Sequence, residues 1–345
     1  MKAAIVGATG YSGLELIRLL TNHPYITIHS VVSNSYDGKN GEEVYPHLSG
    51  VELPRLAPMD KEGLADGTDV VFFATPSGVS KEYIPELIEK GIKCIDLSGD
   101  FRLKSPSLYK EWYKYTPASQ KYLSQSVYGL SEINKEKIAD AKLIANPGCY
   151  PTAAILGILP VLKQRWIDET SIIIDGKSGV SGAGRGLSLG THFAETNENV
   201  KAYKLGKHQH IPEIEQVLSN AANQSITLTF STHLVPMTRG ILCTIYAKLS
   251  EKVTSESVVS LYKEFYRNSP FVRIRENGTY PSTKEVYGSN FCDIGFAVDE
   301  RTNQLIIVSV IDNVMKGAAG QAVQNANIMM GWKETTGLEL SPLYP

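Results

Sequence analysis

The first twenty residues narrow the fold more than any other stretch. Lys2-Ala3-Ala4-Ile5-Val6 reads as a buried strand, Gly7-Ala8-Thr9-Gly10-Tyr11-Ser12-Gly13 follows at once, and Leu14-Glu15-Leu16-Ile17-Arg18-Leu19-Leu20 has helical composition. In that order they make a dinucleotide-binding turn. Gly7 permits the tight turn, Gly10 lets the backbone approach a pyrophosphate, and Gly13 allows close helix packing. Thr9, Tyr11 and Ser12 lie between them, and the free N–H groups of the helix start receive negative charge. The spacing is GxxGxxG rather than GxGxxG, and a purely structural glycine turn is the competing reading.

The alternation of strand and helix continues. A strand over Ile26 to Val32 ends at Ser33, Asn34 and Ser35, where NAD-specific folds often carry a carboxylate for the ribose 2′-hydroxyl. With no carboxylate there, a 2′-phosphate meets no repulsion, and Ser33 and Ser35 can donate to it. The expected cofactor is NADP(H). A third strand, Asp69 to Ala74, runs into Thr75-Pro76-Ser77-Gly78, a loop expected to border the cofactor, and a helix over Ser80 to Lys90 follows. Cys94 stands in the apolar strand Ile92 to Leu97 and reads as a core residue. The loop Ser98-Gly99-Asp100-Phe101-Arg102 lies at a strand's C-terminal end, where parallel sheets place their ligands. Arg102 there suits either an anion or a surface salt bridge. Lys104 to Ser126 reads as an irregular excursion.

Ile144-Ala145-Asn146-Pro147-Gly148-Cys149-Tyr150-Pro151-Thr152 then places one cysteine where a strand breaks into a helix. A thiol at a helix N-terminus is favoured as thiolate, which makes Cys149 a candidate nucleophile. An inert, buried cysteine would fit the same local context. Beyond it the pattern changes. Ser171 to Asp175, Ser225 to Val235, Ile241 to Leu249 and Leu305 to Ile311 suggest a second, mainly antiparallel sheet. The expected architecture is α/β: an N-terminal Rossmann-type doubly wound parallel sheet plus an α+β catalytic and oligomerisation domain. Residues 1–148 and 313–345 would form the first domain, with the last helix returning to it, and residues 149–312 the second.

Within the second domain, Lys177 to Gly186 is a glycine-rich loop whose Ser178, Gly179 and Gly182 could bring backbone N–H groups to an anion or a nicotinamide. A mobile surface loop is the plainer alternative. Lys207-His208-Gln209-His210 precedes the Pro-initiated acidic helix that starts at Ile211. Two histidines at that spacing could hold a metal from an extended segment, but no third ligand of matching spacing is evident. An acid/base role for His210 or His208 is therefore preferred, and no metal is expected. Cys243 and Cys292 read as packing residues, and His23, His29 and His47 as surface or structural. Arg185 and Tyr203 are assigned to substrate by loop position alone.

A formal net charge of −2 leaves no basic excess for a nucleic-acid backbone or an anionic membrane. No apolar run reaches the ~18 residues of a membrane span. Four scattered cysteines without CxxC pairing or a signal peptide point to a reducing cytoplasm. The expected partners are small molecules.

Five stretches together carry a family resemblance: Gly7 to Gly13, Ser98 to Arg102, Asn146 to Thr152, Lys207 to Glu213 and Lys316-Gly317-Ala318-Ala319-Gly320-Gln321-Ala322. The whole chain resembles the N-acetyl-γ-glutamyl-phosphate reductases of arginine biosynthesis. Aspartate-semialdehyde dehydrogenases are similar in fold and nucleophile but differ around these motifs. The resemblance implies NADPH-dependent reduction of an acyl phosphate to an aldehyde, with phosphate released. It implies that Cys149 forms a thioester and that a histidine of the His-x-His segment partners it, His210 being favoured over His208. Arg102, and with it Asn146, would face the substrate, while Asn313 is similar in position to residues that touch the nicotinamide amide. A homodimer or homotetramer is expected.

Overall fold

In the computed structural model, which describes residues 1–344, the chain divides into two units. The first comprises Met1–Pro147 and Ala318–Glu339; the second comprises Gly148–Gly317 and the residues from Leu340 on. The expected first domain resumed at Asn313, whereas residues 313–317 fall in the second unit. Asn313 donates from Nδ2 to Ser181 Oγ (2.9 Å) and accepts the Gly240 N–H (2.7 Å), which ties it there. The far end of the expected domain, Pro345, lies outside the described residues.

In the first unit, apolar runs buried on both faces form a seven-stranded parallel sheet. Its strands are β1 (Lys2–Val6), β2 (Thr27–Val32), β3 (Leu56–Ala57), β4 (Val70–Phe73), β5 (Lys93–Asp96), β6 (Val127–Tyr128) and β7 (Leu143–Ala145), in the order β3-β2-β1-β4-β5-β7-β6. From β1 the chain first builds outward through β2 and β3, then returns to β4 on the other side. The crevice at the β1 and β4 ends is therefore the topological switch point where such sheets bind ligands.

Three expectations change in this unit. The helix proposed for Ser80 to Lys90 is broken into a 3-10 turn, Ser80–Glu82, and a helix, Ile84–Glu89, because Pro85 lacks an N–H and fits only the first turn. The stretch 104–126 is ordered, with short helices at Pro106–Leu108 and Gln120–Gln125 and a π-turn between. Its buried Tyr109 donates to the Gly99 carbonyl (2.9 Å) and accepts the Leu103 N–H (3.0 Å), so it clamps the loop that carries Arg102. The last helix, Gly320–Met329, is preceded by a π-turn, Met315–Ala319, and packs on the helices Ser131–Ala139 and Tyr11–Thr21. Its buried Gln321, Gln324, Asn325 and Asn327 each donate to neighbouring groups. Burial of so many amides is tolerable only because these bonds are made.

The second unit carries a seven-stranded mixed sheet of β8 (Ile173–Ser178), β9 (Lys201–Tyr203), β10 (Thr229–Leu234), β11 (Ile241–Lys248), β12 (Val272–Ile274), β13 (Cys292–Asp299) and β14 (Gln304–Ile311). The order is β12-β13-β14-β11-β8-β10-β9, with β8/β10 and β12/β13 parallel and the other pairs antiparallel. β8 starts and ends later than expected, running to Ser178 because its pairing with β10 and β11 continues through Gly176, Lys177 and Ser178; a Cβ on Gly176 would lie 2.5 Å from the Tyr150 ring. β10 is shorter than Ser225 to Val235. The Ile226 and Leu228 N–H groups go to Ser219 Oγ and Glu215 Oε1 on the helix Ile211–Ala222, not to the sheet. The helix Cys149–Lys163, buried almost all round, packs on β11 and β14.

Candidate active site

Cys149 is the first residue of the helix Cys149–Lys163, with Gly148 as its extended N-cap and no side-chain cap. Of the four cysteines it alone is not buried; burial pushes the Cys94 and Cys243 thiols far up. A reactive thiol belongs at the partly exposed Cys149, and the three buried ones are packing residues.

Two features of the second unit shape the surroundings of Cys149. The Gly148 N–H donates to Glu213 Oε1 (2.8 Å), a carboxylate fully buried in the first turn of the helix Ile211–Ala222. His210, the N-cap of that same helix, lays its ring against Gly148: a Cβ on Gly148 would stand 2.4 Å from His210 Nε2. The nucleophile's N-cap is thus held by one residue of that helix and touched by another. Gly317 also comes so close that a Cβ there would lie 2.8 Å from Cys149 Cβ. Sequence reasoning gave Glu213 no role beyond its place in the Pro-initiated acidic helix that follows the histidines. Its distance of three residues from His210 put it on the same helix face, and that was the available signal.

The two histidines separate clearly. They do not lie on an extended segment: His210 has helical φ/ψ, and its N–H donates to His208 Nδ1 (3.1 Å). Both rings are buried, 4.7 Å apart, and His208 also meets Tyr150, Tyr203 and Phe230 edge-on. Burial, with a smaller effect of the Lys204 charge, pushes His208 down to about 4. His208 is therefore neutral at physiological pH, with Nδ1 occupied as an acceptor. Tyr203 Oη donates to Tyr150 Oη (3.3 Å), and burial pushes its phenol up to about 12.

The glycine-rich stretch of the second unit forms a 3-10 turn, Val180–Ala183, directly after β8. Asn313 secures it through Ser181, and a Cβ on Gly179 would meet the Met237 and Thr238 carbonyls at 2.9 and 2.8 Å. Ser178 is buried, with Oγ donating to the Gly179 carbonyl (3.0 Å). Gly182 is exposed and Arg185 half-buried beyond it.

In the first unit the turn after β1 has the expected form. Gly7 adopts φ +83°, and a Cβ on it would lie 2.4 Å from the Ala74 carbonyl oxygen; one on Gly13 would lie 2.2 Å from the Gly7 oxygen. Gly10 caps the helix Tyr11–Thr21 without a side-chain bond, so the N–H groups of Tyr11, Ser12 and Gly13 open the helix. Thr9 Oγ1 and Ser33 Oγ share a hydrogen bond (2.9 Å), bringing the loops after β1 and β2 together, and Ser35 lies exposed beyond. Thr75 Oγ1 is buried and has no hydrogen-bond partner among the described residues. An orphan hydroxyl beside a glycine cradle at the switch point fits a bound dinucleotide.

Arg102 is buried, its Nε donating to the Asn146 carbonyl (2.8 Å) and one terminal nitrogen to the Leu97 carbonyl (2.9 Å). Asn146 requires a correction. Its side chain is fully buried, donating to the Ala318 carbonyl (3.0 Å) and accepting from Asn325 Nδ2 (3.0 Å), so it positions the Pro147-Gly148 segment instead of facing substrate.

Both units resemble known proteins. Residues 2–141 match the family model of the semialdehyde dehydrogenase NAD binding domain, and residues 149–313 that of the semialdehyde dehydrogenase dimerisation domain. Among solved structures, aspartate semialdehyde dehydrogenase II of Vibrio cholerae, complexed with ASA, superposes with a TM-score of 0.71 at 18% identity, covering 96% of this chain and 98% of that one. The Candida albicans aspartate semialdehyde dehydrogenase with NADP gives 0.69 at 18% identity, covering 95% and 98%. Fold and site thus define a semialdehyde dehydrogenase, an oxidoreductase of the acyl-phosphate-reducing kind. Full-length relatives specify it further: N-acetyl-γ-glutamyl-phosphate reductases of Geobacillus sp. (strain WCH70) and Bacillus subtilis (strain 168) are 58% and 53% identical over 345 residues, with 100% of each chain covered. The chain belongs to the N-acetyl-γ-glutamyl-phosphate reductase family.

Proposed function

We propose that the chain reduces N-acetyl-γ-glutamyl phosphate to N-acetylglutamate 5-semialdehyde and phosphate, with NADPH as reductant, through a Cys149 thioester, as a step of arginine biosynthesis. The observation that carries this reading is the placement of Cys149 at an uncapped helix start whose preceding residue is held by Glu213 and packed by His210.

In this reading the Cys149 thiolate attacks the acyl carbon, and N–H groups at the start of its helix receive the developing oxyanion. Phosphate leaves as the thioester forms. Arg102 and Arg185 supply positive charge to the phosphate, and Tyr203 is a further substrate contact. The Asn146 and Leu97 carbonyls hold Arg102 in place. NADP(H) would be held by Gly7, Thr9, Gly10, Tyr11, Ser12, Gly13, Ser33, Ser35 and Thr75 of the first unit and by Ser178, Gly179, Gly182 and Asn313 of the second; the chemistry it supplies when bound is hydride transfer. His210 moves the proton that accompanies formation and collapse of the thiohemiacetal, which restores the thiolate. His208, held neutral, orients His210 by accepting its backbone N–H. The chain is proposed to work as a homodimer or homotetramer, using the half-buried face of the second sheet that carries Leu242, Tyr246, Ile306 and Val308.

The test runs the reaction in reverse, following NADP+ reduction by N-acetylglutamate semialdehyde plus phosphate with wild-type and Cys149→Ser protein. Phosphate-dependent turnover that vanishes in the serine variant is the expected result. Turnover on aspartate semialdehyde alone would refute the substrate assignment while leaving the thioester route in place, and no turnover on either aldehyde would refute both.

A further inference from the structure

In the first unit the loop after β4 and the loop 98–102 after β5 meet at a carboxylate that the proposed chemistry does not use. Asp100 is fully buried. Its Oδ1 accepts the Gly78 N–H (2.7 Å) and the Tyr115 hydroxyl (2.5 Å), and its Oδ2 accepts the Ser80 hydroxyl (3.0 Å) and the Lys81 N–H (3.2 Å). Ser77 Oγ adds a bond to the Ser98 carbonyl (2.7 Å), and the Ser80 and Ser98 hydroxyls share another (2.9 Å). A buried charge is tolerated only where its bonds are made, and here four donors make them. Arg102 lies against the same turn: Gly99 has φ +102°, and a Cβ on it would stand 3.3 Å from Arg102 Nη1. Burial, and then the Asp100 charge, pushes Asp96 at the end of β5 up to about 6, while the Arg102 charge works against both. Asp96, Asp100 and Arg102 thus form one electrostatic group.

We propose that Asp100 is a positioning residue: it fastens the loop of Thr75 to Gly78 to the loop that carries Arg102, and so sets where the guanidinium meets the phosphate. The inference rests on the phosphate-binding role proposed for Arg102. Arg102 has little freedom to follow a misplaced phosphate, because its Nε and one terminal nitrogen are committed to the Asn146 and Leu97 carbonyls. Its position is therefore that of the backbone 98–102, which Asp100 anchors. A guanidinium holds an oxyanion through paired, directional bonds, so a small displacement of that backbone weakens the contact. The carboxylate itself is required. An amide carries its acceptor on one atom only, and in either orientation its NH2 group would face a backbone N–H, that of Gly78 or that of Lys81. A purely structural carboxylate would act differently: its loss would lower the melting temperature and the active fraction, and leave the phosphate affinity of the folded molecules unchanged.

The experiment compares wild-type protein with Asp100→Asn, Ser80→Ala, Arg102→Gln and the double variant Asp100→Asn/Arg102→Gln. Inorganic phosphate is the probe. Its affinity is read twice, as KM in the aldehyde-oxidising direction and as the dissociation constant, by calorimetry, for protein saturated with NADP+; the second reading does not depend on turnover. Thermal melts check the fold, and Ser80→Ala, which removes one donor and keeps the carboxylate, carries the test where Asp100→Asn does not fold. The expected result is phosphate affinity at least ~10-fold weaker in Asp100→Asn and ~3-fold weaker in Ser80→Ala. In the Arg102→Gln background Asp100→Asn should add less than ~2-fold, because both changes remove the same contact. Unchanged phosphate affinity in the folded variants, or full additivity in the double variant, would overturn the positioning role. An Arg102→Gln protein that binds phosphate as wild type does would overturn it together with the role of Arg102. Wild-type protein that binds phosphate but does not turn over the acetylglutamyl aldehyde would instead refute the proposed reaction, and the calorimetric comparison would still decide the role of Asp100.

Discussion

Replacing Gly148 by alanine isolates the contact on which the site depends. Gly148 has φ −67° and ψ 155°, which alanine adopts freely, so the substitution introduces no backbone strain. The new methyl would lie 2.4, 2.8 and 2.9 Å from Nε2, Cδ2 and Cε1 of His210. Ordinary contact needs about 3.5 Å, so the ring must retreat by about 1 Å. It has little room, with the His208 ring 4.7 Å and the Tyr150 ring 6.2 Å away. Overpacking of this kind costs ~1–3 kcal/mol, which a domain with ~5–15 kcal/mol of stability survives. A ~1 Å displacement of a catalytic group, by contrast, costs ~10²-fold in rate, equivalent to about 2.7 kcal/mol of barrier. The expected variant is folded, melts a few degrees lower, and has kcat about 100-fold down with a much smaller change in KM. Initial rates in the aldehyde-oxidising direction measure it, with Gly186→Ala as the control, since a Cβ there meets nothing within 4 Å. A folded Gly148→Ala protein with kcat within threefold of wild type would refute the argument that His210 acts from its position against Gly148.

Four further outcomes follow from the same geometry. Glu213→Gln should retain the fold and an acceptor for the Gly148 N–H, whereas Glu213→Ala leaves that N–H without it and should lower stability by ~1–3 kcal/mol and kcat by at least ~10-fold, read by thermal melts and steady-state rates. His208, whose folded value of about 4 lies below the usual 6.5, binds a proton more readily when unfolded. Its contribution to stability is therefore intact above pH 6.5 and is lost as pH falls toward 4, by on the order of 3 kcal/mol. Asp96, pushed up to about 6 by burial and then by the Asp100 charge, acts with the opposite sign between about pH 4 and 6. The test is consequently the difference in acid-side slope between wild type and His208→Asn, and identical slopes would refute it. Thr75→Val removes a hydroxyl that has no hydrogen-bond partner among the described residues, so the melting temperature should hold or rise while NADPH affinity drops several-fold by titration. Ser35→Asp should raise KM for NADPH at least ~10-fold and leave that for NADH nearly unchanged; an equal effect on both would refute the placing of the 2′-phosphate.

The sequence made the first unit legible because its elements are encoded locally. β1, the glycine turn and the helix Tyr11–Thr21 lie within twenty residues, and Gly7 and Gly13 are there for backbone contacts that a side chain would destroy. The same holds for Cys149, where Pro147 and Gly148 end one element and begin the next. What could not be read depends on partners distant in sequence. Glu213 gains its role from the Gly148 N–H, 65 residues away, and Asn146 loses its expected one to Asn325 and Ala318, 179 and 172 residues away. Polar side chains at such positions look alike in sequence whether they face solvent, substrate or a buried amide, because residue type fixes only what they can bond. The histidines show how far this goes. Spacing put His208 and His210 on one extended segment as near equals. The turn His208-Gln209-His210 instead spends His208 Nδ1 on the His210 N–H and buries its ring among Tyr150, Tyr203 and Phe230, while His210 is left against the nucleophile's N-cap. Two identical residues, two positions apart, thus acquire different chemistry from burial and one hydrogen bond. The consequence is that His208→Asn, which keeps an acceptor for the His210 N–H, should retain most of kcat, and His210→Asn should not.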